Sequence, residues 1–92
     1  MKYIFKGQHS GIFYGELADQ VQNKTIINNV RQIWSYRDSG GLFQLSQEGP
    51  TNTSSMQLTM AIPTITIMDC VLIIPCSKIA EAKFDSIPEW KL

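Results

Sequence analysis

The stretch GIFYGELADQVQNKTIINNVRQIWSY, residues 11–36, decides the fold class of this chain. Apolar side chains recur at even spacing in its second half, at Ile26, Val30, Trp34 and Tyr36. Even spacing of β-branched and aromatic residues is typical of a strand. Asn23-Lys24 suits a tight turn, because asparagine tolerates the left-handed backbone angles of hairpin turns. The pattern predicts a long antiparallel hairpin, with Gly15 marking a bulge or a close backbone approach.

Shorter β patterns lie on either side of this hairpin. Residues 2–6 form a candidate first strand, and residues 56–62 alternate apolar and polar side chains. Residues 64–75 are rich in β-branched side chains. Pro63 separates these two runs, and because proline cannot donate to a ladder we expect it at a corner and not in a central strand.

Two helices complete the expected fold. A short central helix within residues 39–49 is predicted to start at Ser39 and to stop at Gly49-Pro50. A C-terminal helix is expected after Ser77, a good N-cap, and before Pro88. The sequence therefore predicts an α+β fold, in which a strongly twisted antiparallel sheet or small open barrel carries one short central helix and one C-terminal helix.

Composition limits the possible functions. The chain has 92 residues, enough for a single domain over residues 1–92. Eight basic and eight acidic side chains cancel, so the basic face that duplex DNA binding requires is not expected. The N-terminus lacks the apolar run of a signal peptide, and no segment is apolar enough to span a bilayer. We expect a soluble, cytoplasmic protein that uses neither a metal nor a cofactor and does not contact a membrane.

One segment combines groups that suit a nucleotide. Arginines suit bidentate phosphate contact, aromatic rings stack on bases, and glycines before a helix leave free N–H groups for an anion. From the helix, Gln44 and Ser46 could form hydrogen bonds with the polar edges of a nucleotide base. The candidate ligand-binding residues are Arg31, Trp34, Tyr36, Arg37, Ser39, Gly40, Gly41, Gln44 and Ser46.

A second interpretation assigns the same residues to the fold. On a strand, Trp34 and Tyr36 share a face with Val30 and could belong to the core, whereas Arg31 would point to the opposite face. The glycines could merely turn the strand into the helix. The spacings of a Walker loop and of a dinucleotide fingerprint are both missing.

No other part of the sequence has a residue pattern typical of a catalytic site. His9 precedes Ser10, but no acid is placed to orient the histidine, so a loop histidine is the simpler interpretation. Asp69 interrupts an apolar run and needs either exposure or a partner, for which Lys78 or an arginine is the expected choice. The sequence predicts a protein that is not an enzyme.

Short motifs along the chain resemble a family of small tailed-phage and prophage proteins. In that family a G-x-F-x-G-x-L opening precedes an N-A-R-R-x-W-x-W strand, an S-Q-L helix with a glycine end, and a closing S-I-x-x-V-P-x-W. The matching positions are Gly11, Phe13, Gly15, Leu17, Asn29, Arg31, Trp34, Tyr36, Gln44, Leu45, Ser46, Gly49, Ser86, Ile87 and Trp90. Val30 and Gln32 depart from a small and a basic position, so one positive charge of the family pattern is missing.

The resemblance suggests a binding role. Small phage proteins made early in infection commonly bind a host protein or a host signal, and some form symmetric oligomers that sequester cyclic nucleotides of bacterial immunity. By that analogy we expect an anti-defence protein that sequesters a cyclic or related nucleotide signal without cleaving it. An inhibitor that binds a host defence effector and a structural or accessory phage protein are the alternatives. A homo-oligomer is expected, because so small a core gains from burying surface between subunits.

Overall fold

The computed structural model describes residues 1–36, 41–50 and 56–90. It contains a six-stranded antiparallel open sheet and two helices, which confirms the α+β class; the sheet is not closed into a barrel. The strands are β1 (Tyr3–Gly7), β2 (Ile12–Val21), β3 (Lys24–Tyr36), β4 (Met56–Leu58), β5 (Ile62–Ile67) and β6 (Cys70–Pro75). The helices are α1 (Leu42–Glu48) and α2 (Lys78–Asp85).

The long strand β3 organises the sheet. The main strand order is β4-β3-β2-β1-β6, and β5 also pairs with β3. One edge of β3 pairs with β2. The other edge pairs with β5 over its first part and with β4 over its last part. β3 therefore connects every described strand except the β1–β6 pair, which joins it through β2.

The sheet carries a hydrophobic core on each face. The helix-side core packs the sheet against α1 and α2, and its buried members are Ile4, Tyr14, Ile33, Leu45, Met56, Leu58, Cys76, Ala80, Phe84 and Ile87. The open-side core lies on the other face, with Phe5, Phe13, Ile27, Val30 and Ile67 as its buried members. Neighbouring residues of one strand, such as Ile4 and Phe5, are fully buried in different cores.

Two irregularities shape the β2–β3 hairpin. Gly15 lies where the register between β2 and β3 shifts, and a Cβ atom there would sit 2.8 Å from Ile27 Cγ2 and 2.9 Å from the Asn28 carbonyl oxygen. The expected close backbone approach at Gly15 is thus present. Asn29 has a φ of 48°. The shift there explains why Ile27, and not Ile26, is fully buried on the face of Val30. The turn occupies Gln22 and Asn23, one residue earlier than the sequence predicts.

The helices begin and end largely as the sequence indicates. Ser77 caps α2 by accepting a 3.0 Å hydrogen bond from the Ala80 N–H. Helix α1 begins later than predicted, at Leu42, and its N-cap residue is Gly41 with a φ of 98°. Ser39, the predicted start, lies outside the described residues. Gly49 ends α1, as expected.

Pro63 and Asp69 depart from expectation. Pro63 lies inside β5 and not at a corner. Among the described strands β5 pairs with β3 alone, so it is an edge strand, where a proline is tolerated. The chain instead turns at Met68 and Asp69, between β5 and β6. The Asp69 carboxyl is exposed, which is one of the two expected alternatives, but among the described residues neither Lys78 nor Arg31 is its partner. Its carboxylate accepts hydrogen bonds from the loop after β1, which contains His9 as predicted.

Asp69 gives a pH-dependent prediction. The Ser10 hydroxyl (2.6 Å) and the His9 N–H (2.8 Å) hold the pKa of this exposed carboxyl below 3.8. A carboxyl group whose pKa is lowered by folding stabilises the folded state at pH values above its ordinary pKa. This contribution is lost as the pH falls through the folded-state pKa. We expect Asp69→Ala to lower the melting temperature at neutral pH, with the difference from wild type shrinking well below pH 3.8. A pH-independent difference would contradict this role, and Asp19→Ala serves as the control at an exposed carboxylate.

Within residues 1–36, 41–50 and 56–90, no helix has the length and apolar character needed to cross a membrane.

Candidate functional site

The structure separates the candidate ligand-binding residues. Arg31 lines a polar cleft, whereas Trp34 packs on Trp90. Gly41, Gln44 and Ser46 belong to α1 and its N-cap. Arg37, Ser39 and Gly40 lie outside the described residues, as does the side chain of Tyr36, the residue that ends β3.

Arg31 is held by the fold. Its Nε donates a 2.9 Å hydrogen bond to the Thr59 carbonyl, and its Nη1 donates a 3.2 Å hydrogen bond to the Phe84 carbonyl in the last turn of α2. A cation at a helix C-terminus satisfies a free carbonyl and interacts favourably with the helix dipole. Partial burial lowers the pKa of Arg31, while the nearby Asp85 and Glu89 carboxylates oppose that shift. Arg31 therefore attaches β3 to α2.

A polar cleft beside Arg31 contains a second attachment. Lys2 Nζ lies 2.9 Å from Asp85 Oδ1, and the Tyr14 hydroxyl donates to the same oxygen at 3.0 Å. Burial, followed by the Asp85 hydrogen bond, raises the pKa of the Tyr14 phenol, which therefore stays protonated. The cleft has a volume of about 350 Å³, and positive and negative side chains both line it. This balance suits a structural ion-pair network more than a phosphate site.

Trp34, unlike Arg31, is mostly exposed. β4 pairs its Leu58 with Ile33 and its Gln57 with Ser35, so Trp34 is the extra residue of a β-bulge. Bulges redirect side chains at sheet edges. The Trp34 side chain is 58% exposed, so it is not a core residue. Its ring centroid lies 5.4 Å from that of Trp90, with the two rings tilted by 48°.

An uncharged cavity lies along β3 on the N-terminal side of Trp34. Val30 and Gln32, which precede Trp34 at even spacing, line it. Its volume is about 320 Å³, and its other lining residues are Phe13, Thr59, Met60, Ile62 and Ile65. Met60 and Ile62 are 54% and 40% exposed at its mouth. We use the name Trp34 face for the Trp34–Trp90 pair together with this cavity, including its lining residues Met60 and Ile62.

The described candidates on α1 and its N-cap lie apart from Arg31. Ser46 is buried, and its hydroxyl donates a 2.7 Å hydrogen bond to the Phe43 carbonyl. Gly41 lines a separate shallow cavity with Phe43 and β6 residues, whereas Arg31 lines the polar cleft. Gln44 is half-buried on α1. Among the described candidates, Gly41 and Arg31 therefore line different cavities, and Ser46 is buried.

The family of the chain follows from its sequence match. A family model described as a domain of unknown function, DUF6948, matches residues 1–84. The chain belongs to this family. A DUF6948 domain thus covers β1 to β6, α1 and most of α2, while Trp90 lies beyond the matched residues. No curated protein and no solved structure matches the chain.

Sequence reasoning missed most of the Trp34 face. Trp90 carries a signal, because a tryptophan in a short polar tail needs a packing partner, but its sequence does not identify that partner. Met60 and Ile62 are part of a regular apolar alternation in the sequence. Their exposure follows from the break between β4 and β5, which no local pattern indicates.

Proposed function

We propose that this DUF6948 protein acts by binding another protein through its Trp34 face, without catalysing a reaction. The observation that carries the proposal is the 58% exposure of Trp34 at a bulge of β3, two residues after Gln32, which lines an uncharged cavity. Fully exposed indoles are uncommon because tryptophan is strongly apolar, and the residue is enriched at the energetic centres of protein interfaces.

The surroundings of Trp34 support a protein partner over an anionic ligand. Tryptophan and methionine are over-represented in interfaces, whereas charged residues are depleted at interface centres. No charged side chain lines the cavity among the described residues. An apolar side chain of a partner fits such a cavity, whereas a phosphate group would lose its hydration there without gaining a cation.

The phage-family resemblance suggests what kind of protein the partner is. We propose a host defence effector, inhibited by occupation of its surface. Homo-oligomerisation of the chain is part of the same proposal, because two or more copies would present several Trp34 faces to one partner.

Nucleotide sequestration is the second candidate, and one observation favours it. The exposed Trp34 indole can stack on a base, and such stacking contributes about 1–3 kcal/mol per base in single-strand binders. Arg31 would not hold the phosphates of that nucleotide, because its guanidinium already donates to two backbone carbonyls.

Trp34→Ala tests the proposed surface. Because the side chain is mostly exposed, we expect a melting temperature within a few degrees of wild type but loss of the partner, by about 2 kcal/mol or more in binding free energy. Affinity capture followed by calorimetry with the recovered partner measures this loss. Val21→Ala, at a 50% exposed strand position on the hairpin end, should leave capture unchanged. Equal capture by Trp34→Ala and wild type would overturn the proposal.

Thermal unfolding with cyclic di- and trinucleotides and cyclic ADP-ribose isomers separates the two candidates. A bound nucleotide at a hundredfold excess over its dissociation constant would stabilise the protein by about 2.7 kcal/mol. We expect no stabilisation. A shift that disappears in Trp34→Ala, with the nucleotide recovered intact, would establish the nucleotide candidate instead.

A further inference from the structure

The segment after α2 lies along the outer edge of β4. Helix α2 ends at Asp85, Ile87 is buried in the helix-side core, and the chain then runs beside β4. The Trp90 N–H donates a 2.8 Å hydrogen bond to the Leu58 carbonyl, and Glu89 forms a parallel β-bridge with Leu58. We name residues 88–90 the tail. It occupies the position that an added strand would occupy.

The tail also supplies the aromatic ring that packs on Trp34. The two contacts, a backbone hydrogen bond to β4 and a ring on Trp34, come from the same residue, Trp90. Strand addition combines main-chain hydrogen bonds to a sheet edge with side-chain contacts that select the sequence. The tail therefore shows that an extended segment with an aromatic side chain fits the outer edge of β4 beside Trp34.

We infer that the β4 edge and Trp34 form a strand-addition site for an extended segment of a partner protein carrying an aromatic side chain, and that the tail is its resting occupant. The inference rests on the proposed function and specifies how the partner would use the Trp34 face. The partner segment would run parallel to β4, donate a backbone N–H to the Leu58 carbonyl and place its aromatic ring on Trp34.

The contacts of the tail suit an occupant that exchanges. Within the part of the chain that the structure describes, one Leu58–Glu89 bridge and one backbone hydrogen bond join it to β4, and Trp34 stays 58% exposed beside Trp90. Aromatic pairs add only about 0.5–1.5 kcal/mol beyond the area they bury. The buried Ile87 tethers the tail, so its effective concentration at the site is in the millimolar range. A partner segment that also reaches the cavity beside Met60 would make contacts that the tail does not make.

The test uses the full-length chain carrying Trp90→Ala and a synthetic peptide of residues 86–90, Ser-Ile-Pro-Glu-Trp. Nuclear magnetic resonance titration reports on backbone amides near Leu58 and on the Trp34 indole N–H. We expect the peptide to shift these signals in Trp90→Ala, and to bind the wild-type chain more weakly because the tethered tail competes. The expected factor is one plus the ratio of the effective concentration of the tail to the dissociation constant measured in Trp90→Ala. The double variant Trp34→Ala/Trp90→Ala should lose the binding, as should a peptide carrying alanine in place of its tryptophan.

Several results would overturn the inference. The first is the absence of binding to folded Trp90→Ala at millimolar peptide, and the second is equal binding of the alanine peptide. The third is a titration in which other signals shift but the amide signals near Leu58 and the Trp34 indole N–H signal do not. If Trp90→Ala does not fold, titrating wild type with the peptide in excess of the effective concentration of the tail must shift the same signals. If the peptide does not bind but the partner protein still requires Trp34, strand addition is rejected and the proposed function stands. If the partner protein binds Trp34→Ala as well as wild type, the proposed function is rejected.

Discussion

Phe84→Ala is expected to destabilise the protein by about 3–5 kcal/mol. Phe84 is fully buried in the helix-side core, and its ring stacks on Tyr14 with a centroid distance of 4.5 Å. Truncation removes the transfer free energy of the ring and leaves a cavity between α2 and the sheet. Because small domains have total stabilities of about 5–15 kcal/mol, this one change removes a large share.

Chemical denaturation followed by circular dichroism measures the effect of Phe84→Ala. The matched control is Ile79→Ala on the same helix, where the side chain is 64% exposed, so we expect a change within about 0.5 kcal/mol. At about 4–8 °C per kcal/mol for a domain of this size, Phe84→Ala should lower the melting temperature by at least about 12 °C. A loss similar to that of Ile79→Ala would mean that α2 does not pack on Tyr14.

Arg31→Ala is expected to cost about 2–3 kcal/mol of folding free energy. The substitution removes two hydrogen bonds from a charged group, to the carbonyls of Thr59 and Phe84, and bonds of that type typically contribute about 1.5–3 kcal/mol each. The half-buried position of Arg31 leaves water able to solvate part of what is lost, so we expect less than the sum.

A phosphate-binding role and a structural role of Arg31 predict different effects of Arg31→Ala on ligand affinity and on stability. If Arg31 bound a phosphate, Arg31→Ala would reduce ligand affinity with little change in stability. We expect the reverse, a lower denaturation midpoint and an unchanged affinity for the partner at a temperature where the variant is folded. Lys24→Ala, at an exposed position on the same strand, controls for the loss of one positive charge. A stable variant with weakened ligand binding would restore the phosphate interpretation.

The α+β class and most of the elements could be predicted from local patterns. The Ser77 cap and the apolar spacing around Ala80 and Phe84 predict α2, because capping and 3.6-residue periodicity are local properties. Gly15 marked a close approach, because only a residue without a Cβ fits beside Ile27 and Asn28. Features that depend on neighbours within a few residues were thus available from the sequence.

The arrangement of the candidate site could not be predicted in the same way. Alternation placed Arg31 and Trp34 on opposite faces, but whether Trp34 was core or surface depended on what covers the end of β3. β4 adds a bulge at Trp34, and the tail reaches it from more than fifty residues away in sequence. Pro63 was misassigned for a related reason: a proline is compatible with both a corner and an edge strand, and only the pairing decides.

The pairing of β1 has a consequence for how the chain folds as it is synthesised. β1 lies between β2 and β6, and its Tyr3 is the ladder partner of Pro75. The helix-side core likewise joins Ile4 to Phe84 and Ile87. A ribosome therefore releases the β1–β3 meander long before the residues that cover both its faces exist, and long-range pairing of this kind slows folding. During that interval the apolar side chains of β1 depend on chaperones or on transient collapse, so stalled or truncated translation products of this chain should aggregate rather than accumulate as partly folded domains.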